Sequence, residues 1–223
     1  MKLPVLFHEL KGFFIRDRLV ALRRASWLSP IVFFAVIQAL FAIVLKGELH
    51  SNPVLIPALI WAGLLLACQL SVDSVFTEDY QDGSLEHLML SDSVAGAVLM
   101  RLLAQLSITG VLLCLVALAF ALLLGLSVSA LPVFALTLPA GVIALTVLGS
   151  FGSALTLGRG GLLAGVLTIP LALPVILLAV GASIAGLSGG LWLDTLLKLW
   201  GLAIALLLLF PPVLAAVLEL HLE

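Results

Sequence analysis

Charged side chains are scarce in this sequence: ten lysines and arginines and twelve aspartates and glutamates among 223 residues. A water-soluble domain of that length needs more charge to cover its surface, because apolar groups left facing water drive association. The two signs nearly balance at a net charge of −2, so neither a nucleic-acid partner nor a strongly basic peripheral domain is expected. Cysteine is nearly absent as well. Cys68 and Cys114 lie in apolar stretches without a CxxC or zinc-type spacing, and they read as small buried hydrophobes rather than a redox pair or a metal site. No GxxxxGK[ST] phosphate loop is present, so the chain has no usual means of binding and hydrolysing ATP. His8-Glu9 is not the start of a zinc-protease HExxH, since residue 12 is Gly12. His8, His50, His87 and His221 all fall outside the predicted spans, and no serine shares their depth. Neither catalysis nor a bound metal is expected.

What the sequence has instead is apolar length. Hydrophobic residues make up 63% and the mean hydropathy is +1.34. They fall in long runs, not in the alternating patterns of a soluble core, and the bilayer is the solvent in which such runs are stable. Six stretches stand out at 27–45, 54–75, 97–125, 131–157, 162–186 and 196–218. Each is close to or above the roughly 20 residues needed to cross a hydrocarbon core of about 30 Å. Pro139, Pro170, Pro174, Pro211 and Pro212 sit in or near them, where membrane helices tolerate proline better than soluble ones do. The fold class is therefore an all-α integral membrane protein of about six transmembrane helices.

Residues 1–24 precede the first run and read as an amphipathic helix. Leu3, Leu6, Phe7, Leu10, Phe13 and Phe14 share one face, and Lys11, Arg16 and Arg18 point elsewhere. Lying in the interface is the pose that suits them. Asp17 falls on the apolar stripe, so the helix is expected to end or bend there. No cleavable leader is expected, because the first apolar run begins only near Trp27, after a long charged head. The domain reading is thus an interfacial segment at 1–24 and a six-helix transmembrane domain at 25–223.

Orientation follows from lysine and arginine. With the N-terminus inside, Lys2, Lys11, Arg16, Arg18, Arg23, Arg24, Arg101 and Arg159 collect on the cytoplasmic side, against Lys46 and Lys198 opposite. An even number of spans returns the C-terminus to the cytoplasm. Small residues cluster later: Gly149, Ser150, Gly152 and Ser153 in the fourth span, and a Gly161-xxx-Gly165 pair in the fifth. Close packing inside the bundle explains them more simply than a dedicated dimer motif.

One connection differs from the rest. Residues 76–93 hold five of the twelve acidic residues, namely Glu78, Asp79, Asp82, Glu86 and Asp92. Asp82 or Ser84 is suited to cap a short helix with Leu85, Leu88 and Met89 on one apolar face. Such an element either docks on a cytoplasmic partner or folds back onto the bilayer, and the residues alone do not choose between these.

The string Phe76-xx-Asp79-xx-Asp82-Gly83-Ser84-Leu85-Glu86-x-Leu88-x-Leu90 closely resembles the signature of the heme exporter protein B (CcmB) family. That family supplies the permease subunit of the ABC complex in cytochrome c maturation. More distantly, Gly83-Ser84-Leu85-Glu86 is similar to the Gly-Thr-Leu-Glu loop of type-two ABC exporter permeases. Chain length, the six-span layout and a Gly158-Arg159-Gly160-Gly161 turn followed by Pro170 and Pro174 agree with it. The resemblance implies that Phe76, Asp79, Asp82, Gly83, Ser84, Leu85, Glu86 and Leu88 contact a separate ATP-binding subunit. It also implies a second copy of the chain, other heme-handling membrane proteins of cytochrome c maturation as partners, and a place in the bacterial inner membrane. No cofactor is expected to be bound directly. ATP acts through the partner subunit, and heme is the candidate cargo, although the family's cycle also fits release of a heme-loaded periplasmic carrier. The chain carries no tryptophan-rich heme-handling motif, and His50 alone does not make a ligand site.

Within the membrane the polar set is thin. Asp73 and Arg101 sit at similar depth near the cytoplasmic ends of the second and third spans; the arginine either pairs with the acid or snorkels outward, and a structural pair is favoured over a substrate site. Gln38, Gln69 and Gln105 either line a path or bond between helices. Two other functions compete with the permease reading: an ion-coupled secondary transporter, which needs more polar midplane residues, and a non-transporting scaffold that assembles partners through the acidic loop.

Overall fold

The structure is a computed structural model, and it describes residues 3–81, 83, 91, 93–157 and 161–219. Every regular element among these residues is helical: α1 (Leu3–Arg24), α2 (Leu28–Val44), α3 (Lys46–Ser51), α4 (Leu55–Gln81), α5 (Val94–Gln105), a π-helical turn (Leu106–Gly110), α6 (Val111–Leu123), α7 (Leu131–Leu155), α8 (Gly161–Ser188) and α9 (Trp192–Glu219). Five helical stretches are long and apolar enough to cross a bilayer: α4, the α5–α6 unit, α7, α8 and α9. With 17 residues, α2 rises about 25 Å, just short of the core thickness. Taken with Lys11–Arg23 of α1 as one span broken by a bend of 58°, it brings the number to six.

Contrary to the expectation from Asp17, α1 does not stop there but runs unbroken to Arg24. The corner comes later, at Ala25, whose φ of 51° lies in the left-handed region that side chains other than glycine rarely adopt. Asp17 is tolerated on the inner face because Arg101 lies opposite it. The N-terminal helix is thereby packed along α5 and the π turn.

At the centre stands α7, wrapped by α4, α8 and α9. Small residues on its buried face, set among larger ones, let neighbours approach. A Cβ placed on Gly141 would collide with the fully buried indole of Trp61, so glycine is what permits α4 and α7 to meet at that level. Gly152 does the same for α8, where an added Cβ would run into Thr168 and stand 3.0 Å from the Ala164 carbonyl. The expected close packing of the fourth span is present, whereas Gly165 faces open space. Phe34 and Phe120 close the other side of the core edge to face, with ring centroids 6.0 Å apart.

Prolines lie inside α7, α8 and α9 without ending them. In α7 the carbonyl of Leu136, three residues before Pro139, accepts a hydrogen bond from Trp200 Nε1 at 3.2 Å. A side chain from α9 thus supplies a hydrogen bond to the turn that precedes the proline.

Candidate functional site

The candidate site lies where the second and third spans present residues 76–93. The helix α4 continues past the expected end of the second span to Gln81. Phe76 and Asp79 therefore lie on the last turns of the helix that forms this span. Tyr80 at its tip is exposed. Gly83 follows with φ 73° and open space around its Cα, a conformation that glycine adopts without strain just past a helix end. Asp82, Ser84, Leu85, Glu86 and Leu88, with the short helix expected there, lie outside the described residues, as does Arg159. On the far side Ser93 begins α5 as its N-cap, its hydroxyl accepting from the Gly96 amide at 3.2 Å.

Eight residues into α5, Arg101 reaches toward α1 and sets Nη1 3.6 Å from Asp17 Oδ2, with the two side chains only 13% and 9% exposed. Arg16 Nε approaches the same carboxylate at 3.4 Å from the solvent side. Asp73 sits on α4, and its side chain is outside the described set, so its expected pairing with Arg101 is left as a proposal. The Asp17–Arg101 contact is the feature that reading the sequence missed. Its signal was there: an acid on the apolar stripe of a helix requires a cation facing it.

The glutamines knit helices together. Gln38 donates to the Leu59 carbonyl at 3.2 Å. Gln69 donates to Thr168 Oγ1 at 2.5 Å, joining α4 to α8. Gln105 donates to Ser71 Oγ at 2.5 Å and to Thr109 Oγ1 at 3.2 Å, joining α5 to α4 just below the π turn. A small cavity of about 250 Å³ lies beside Gln69 and Ser153. Among the described residues no three histidine, cysteine or acidic side chains gather into a metal-ligating group.

Chemically, this arrangement offers a lever. The helical end of one span and the capped start of the next flank an acidic segment, and a mostly buried ion pair ties the second of these spans to the N-terminal helix. Comparison with known proteins bears on what such a lever serves. The sequence model of the CcmB protein family matches residues 9–221. Among curated proteins, heme exporter protein B of Pseudomonas aeruginosa is 42% identical over 175 residues, covering 77% of this chain and 78% of the relative. The protein of the same name from Paracoccus denitrificans is 35% identical over 218 residues, 96% of this chain and 100% of the relative. That of Rhodobacter capsulatus is 34% identical over 220 residues, with the same coverage of 96% and 100%.

Proposed function

This chain belongs to the CcmB protein family, and from that membership we propose that it is the membrane permease subunit of an ABC-type complex serving heme export for c-type cytochrome biogenesis. The observation that carries the reading is the match to heme exporter protein B sequences along nearly the whole chain. Hydrolysis belongs to a separate ATP-binding subunit, since this sequence has no phosphate loop. Closure of that partner reaches the membrane helices only through mechanical contact, and the segment 76–93 is the surface that receives it.

The shape of α4 supports this role. A push on Phe76, Asp79 or the acidic residues beyond them travels along one continuous helix into the bundle, because α4 has no break between Leu55 and Gln81. Movement at the start of α5 reaches α1 through Arg101 and Asp17. Glu78, Asp79, Asp82, Glu86 and Asp92 give the receiving surface a negative charge suited to a basic partner. The bias of lysine and arginine supports an inner-membrane topology with both termini in the cytoplasm, which sets the 76–93 segment on the side where ATP is found. A second copy of the chain and other heme-handling membrane proteins complete the complex, with heme as the candidate cargo.

The test is affinity purification from native membranes in mild detergent, comparing wild type with an Asp82→Lys, Glu86→Lys double variant. A P-loop ATPase that accompanies the wild type and is lost from the folded, inserted variant is the expected result. Absence of any ATPase from both preparations overturns the ABC assignment and favours a scaffold or secondary transporter.

A further inference from the structure

Beside the third span runs an apolar groove of about 670 Å³, which the permease reading does not use. Leu106, Gly110 and Cys114 form one wall, Pro139 and Ile143 of α7 the other, and Phe14 of α1 is among the residues that line it. Two backbone irregularities shape it. The π turn at Leu106–Gly110 widens the span locally, and Pro139 faces it with a ring in place of an N–H. Ser107, the polar side chain on the lining, donates its hydroxyl proton to the Ala104 carbonyl at 2.8 Å. The groove therefore offers an occupant apolar contact and almost no hydrogen bonding.

A charge sits beside it. The Arg18 guanidinium lies over the Phe14 ring, 5.5 Å from its centroid, and Arg18 is exposed. The neighbouring acid does not cancel it, because Asp17 is turned toward Arg16 and Arg101. From Leu103 to Leu118, both on the lining, the helix rises about 22 Å. Half the hydrocarbon core is about 15 Å, so the groove accommodates a full lipid tail within one leaflet.

We propose that this groove holds one acyl chain of an anionic phospholipid, with the headgroup phosphate at Arg18. Shape and charge agree on that occupant: a long, featureless apolar slot with a guanidinium at the residue that lines its α1 side. Lipid held there would fix α1 against α5 and α7, joining the N-terminal helix to the bundle by a second route besides Asp17 and Arg101.

The experiment is native mass spectrometry of the purified full chain, delipidated and then exposed to equal amounts of phosphatidylglycerol and phosphatidylethanolamine in mixed micelles. Wild type is expected to retain one phosphatidylglycerol with about fivefold preference, the contribution of one arginine at an anionic lipid surface. Arg18→Gln, a change at an exposed position, should keep a lipid but lose the preference. Ser107→Phe, which fills the slot, should lose the lipid; if it fails to fold, Cys114→Phe takes its place. Retention without headgroup preference, or a preference unchanged in Arg18→Gln, overturns the proposal. Ser107→Phe that separates a dimer while lipid retention stays the same assigns the groove to a second copy instead. Stoichiometric displacement of the lipid by hemin assigns it to a macrocycle and also overturns the proposal.

Discussion

Whether α1 is an anchored part of the bundle or a loosely attached surface helix turns on the contact between Asp17 and Arg101, and its strength follows from the geometry. At 3.6 Å and an effective dielectric near 20, the attraction between the charges is about 4–5 kcal/mol. Desolvation of two mostly buried side chains offsets part of this, and Arg16 at 3.4 Å shares the carboxylate, leaving a coupling of about 1–3 kcal/mol. A double-mutant cycle of Asp17→Asn and Arg101→Gln isolates that coupling whatever else either residue touches. For a chain of this size about 2 kcal/mol corresponds to roughly 4–8 °C in thermal midpoint, readable in mild detergent by circular dichroism. The Lys198–Asp194 pair provides an internal control: it is shorter, at 2.6 Å, but its side chains are 62% and 68% exposed. Such a pair is worth about 0–1 kcal/mol and fades with salt, whereas the Asp17–Arg101 coupling should survive 1 M salt largely intact. Coupling for Asp17–Arg101 no larger than for the control, or equally lost in salt, would refute the anchored helix.

Two further outcomes are expected. Gly141→Ala should lower stability by about 1–3 kcal/mol despite alanine's better helix propensity, because the new Cβ meets the Trp61 indole; combining it with Trp61→Phe should recover part of the loss, and simple additivity of the two changes in thermal midpoint would contradict the close approach of α4 and α7. Gly83→Val, at φ 73°, should strain the turn after α4 by about 1–2 kcal/mol and reduce co-purification of the ATPase. Gly83→Asn, better suited to that conformation, should retain more of the ATPase, and equal losses in the two variants would argue that backbone conformation there is unimportant.

The spans were legible because a bilayer imposes one strong rule, that backbone groups be satisfied within a long apolar helix. That rule writes itself into runs of leucine, valine and alanine whose limits fall within four residues of α2 and of α5 to α9, while α4 runs six residues past its expected end. Side-chain partnerships were less legible, because they depend on which helices meet. Arg101 reaches Asp17 on α1, a contact that depth along the sequence does not show, because depth says nothing of direction around a helix axis. The π turn at Leu106–Gly110 left no mark in the sequence, since Leu-Ser-Ile-Thr-Gly reads as an ordinary helical stretch and the extra residue in the turn is set by packing. The groove it makes was invisible for the same reason.

The features that reading the apolar runs did not supply share one region of the molecule. The π turn begins immediately after Gln105, whose amide holds Ser71 on α4, and Arg101 lies one turn earlier, holding Asp17 on α1. Within about two turns, then, the third span is tied to the second span and to the N-terminal helix, and immediately above those ties its helical geometry changes. A displacement arriving at the start of α5 meets these fixed points before it reaches the π turn, where a helix yields at lower cost than in regular α geometry. The lower third of the span would then move with α1 and α4 as one body, and Leu106–Gly110 is where that motion would be taken up. A Thr109→Ala variant, which removes the hydroxyl receiving Gln105 at 3.2 Å, should loosen this junction by about 0.6 kcal/mol, the average for a hydrogen bond between membrane side chains. Hydrogen exchange should report it as faster exchange at residues 106–110 than at 111–123, and a uniform change along the whole span would argue against a localised hinge.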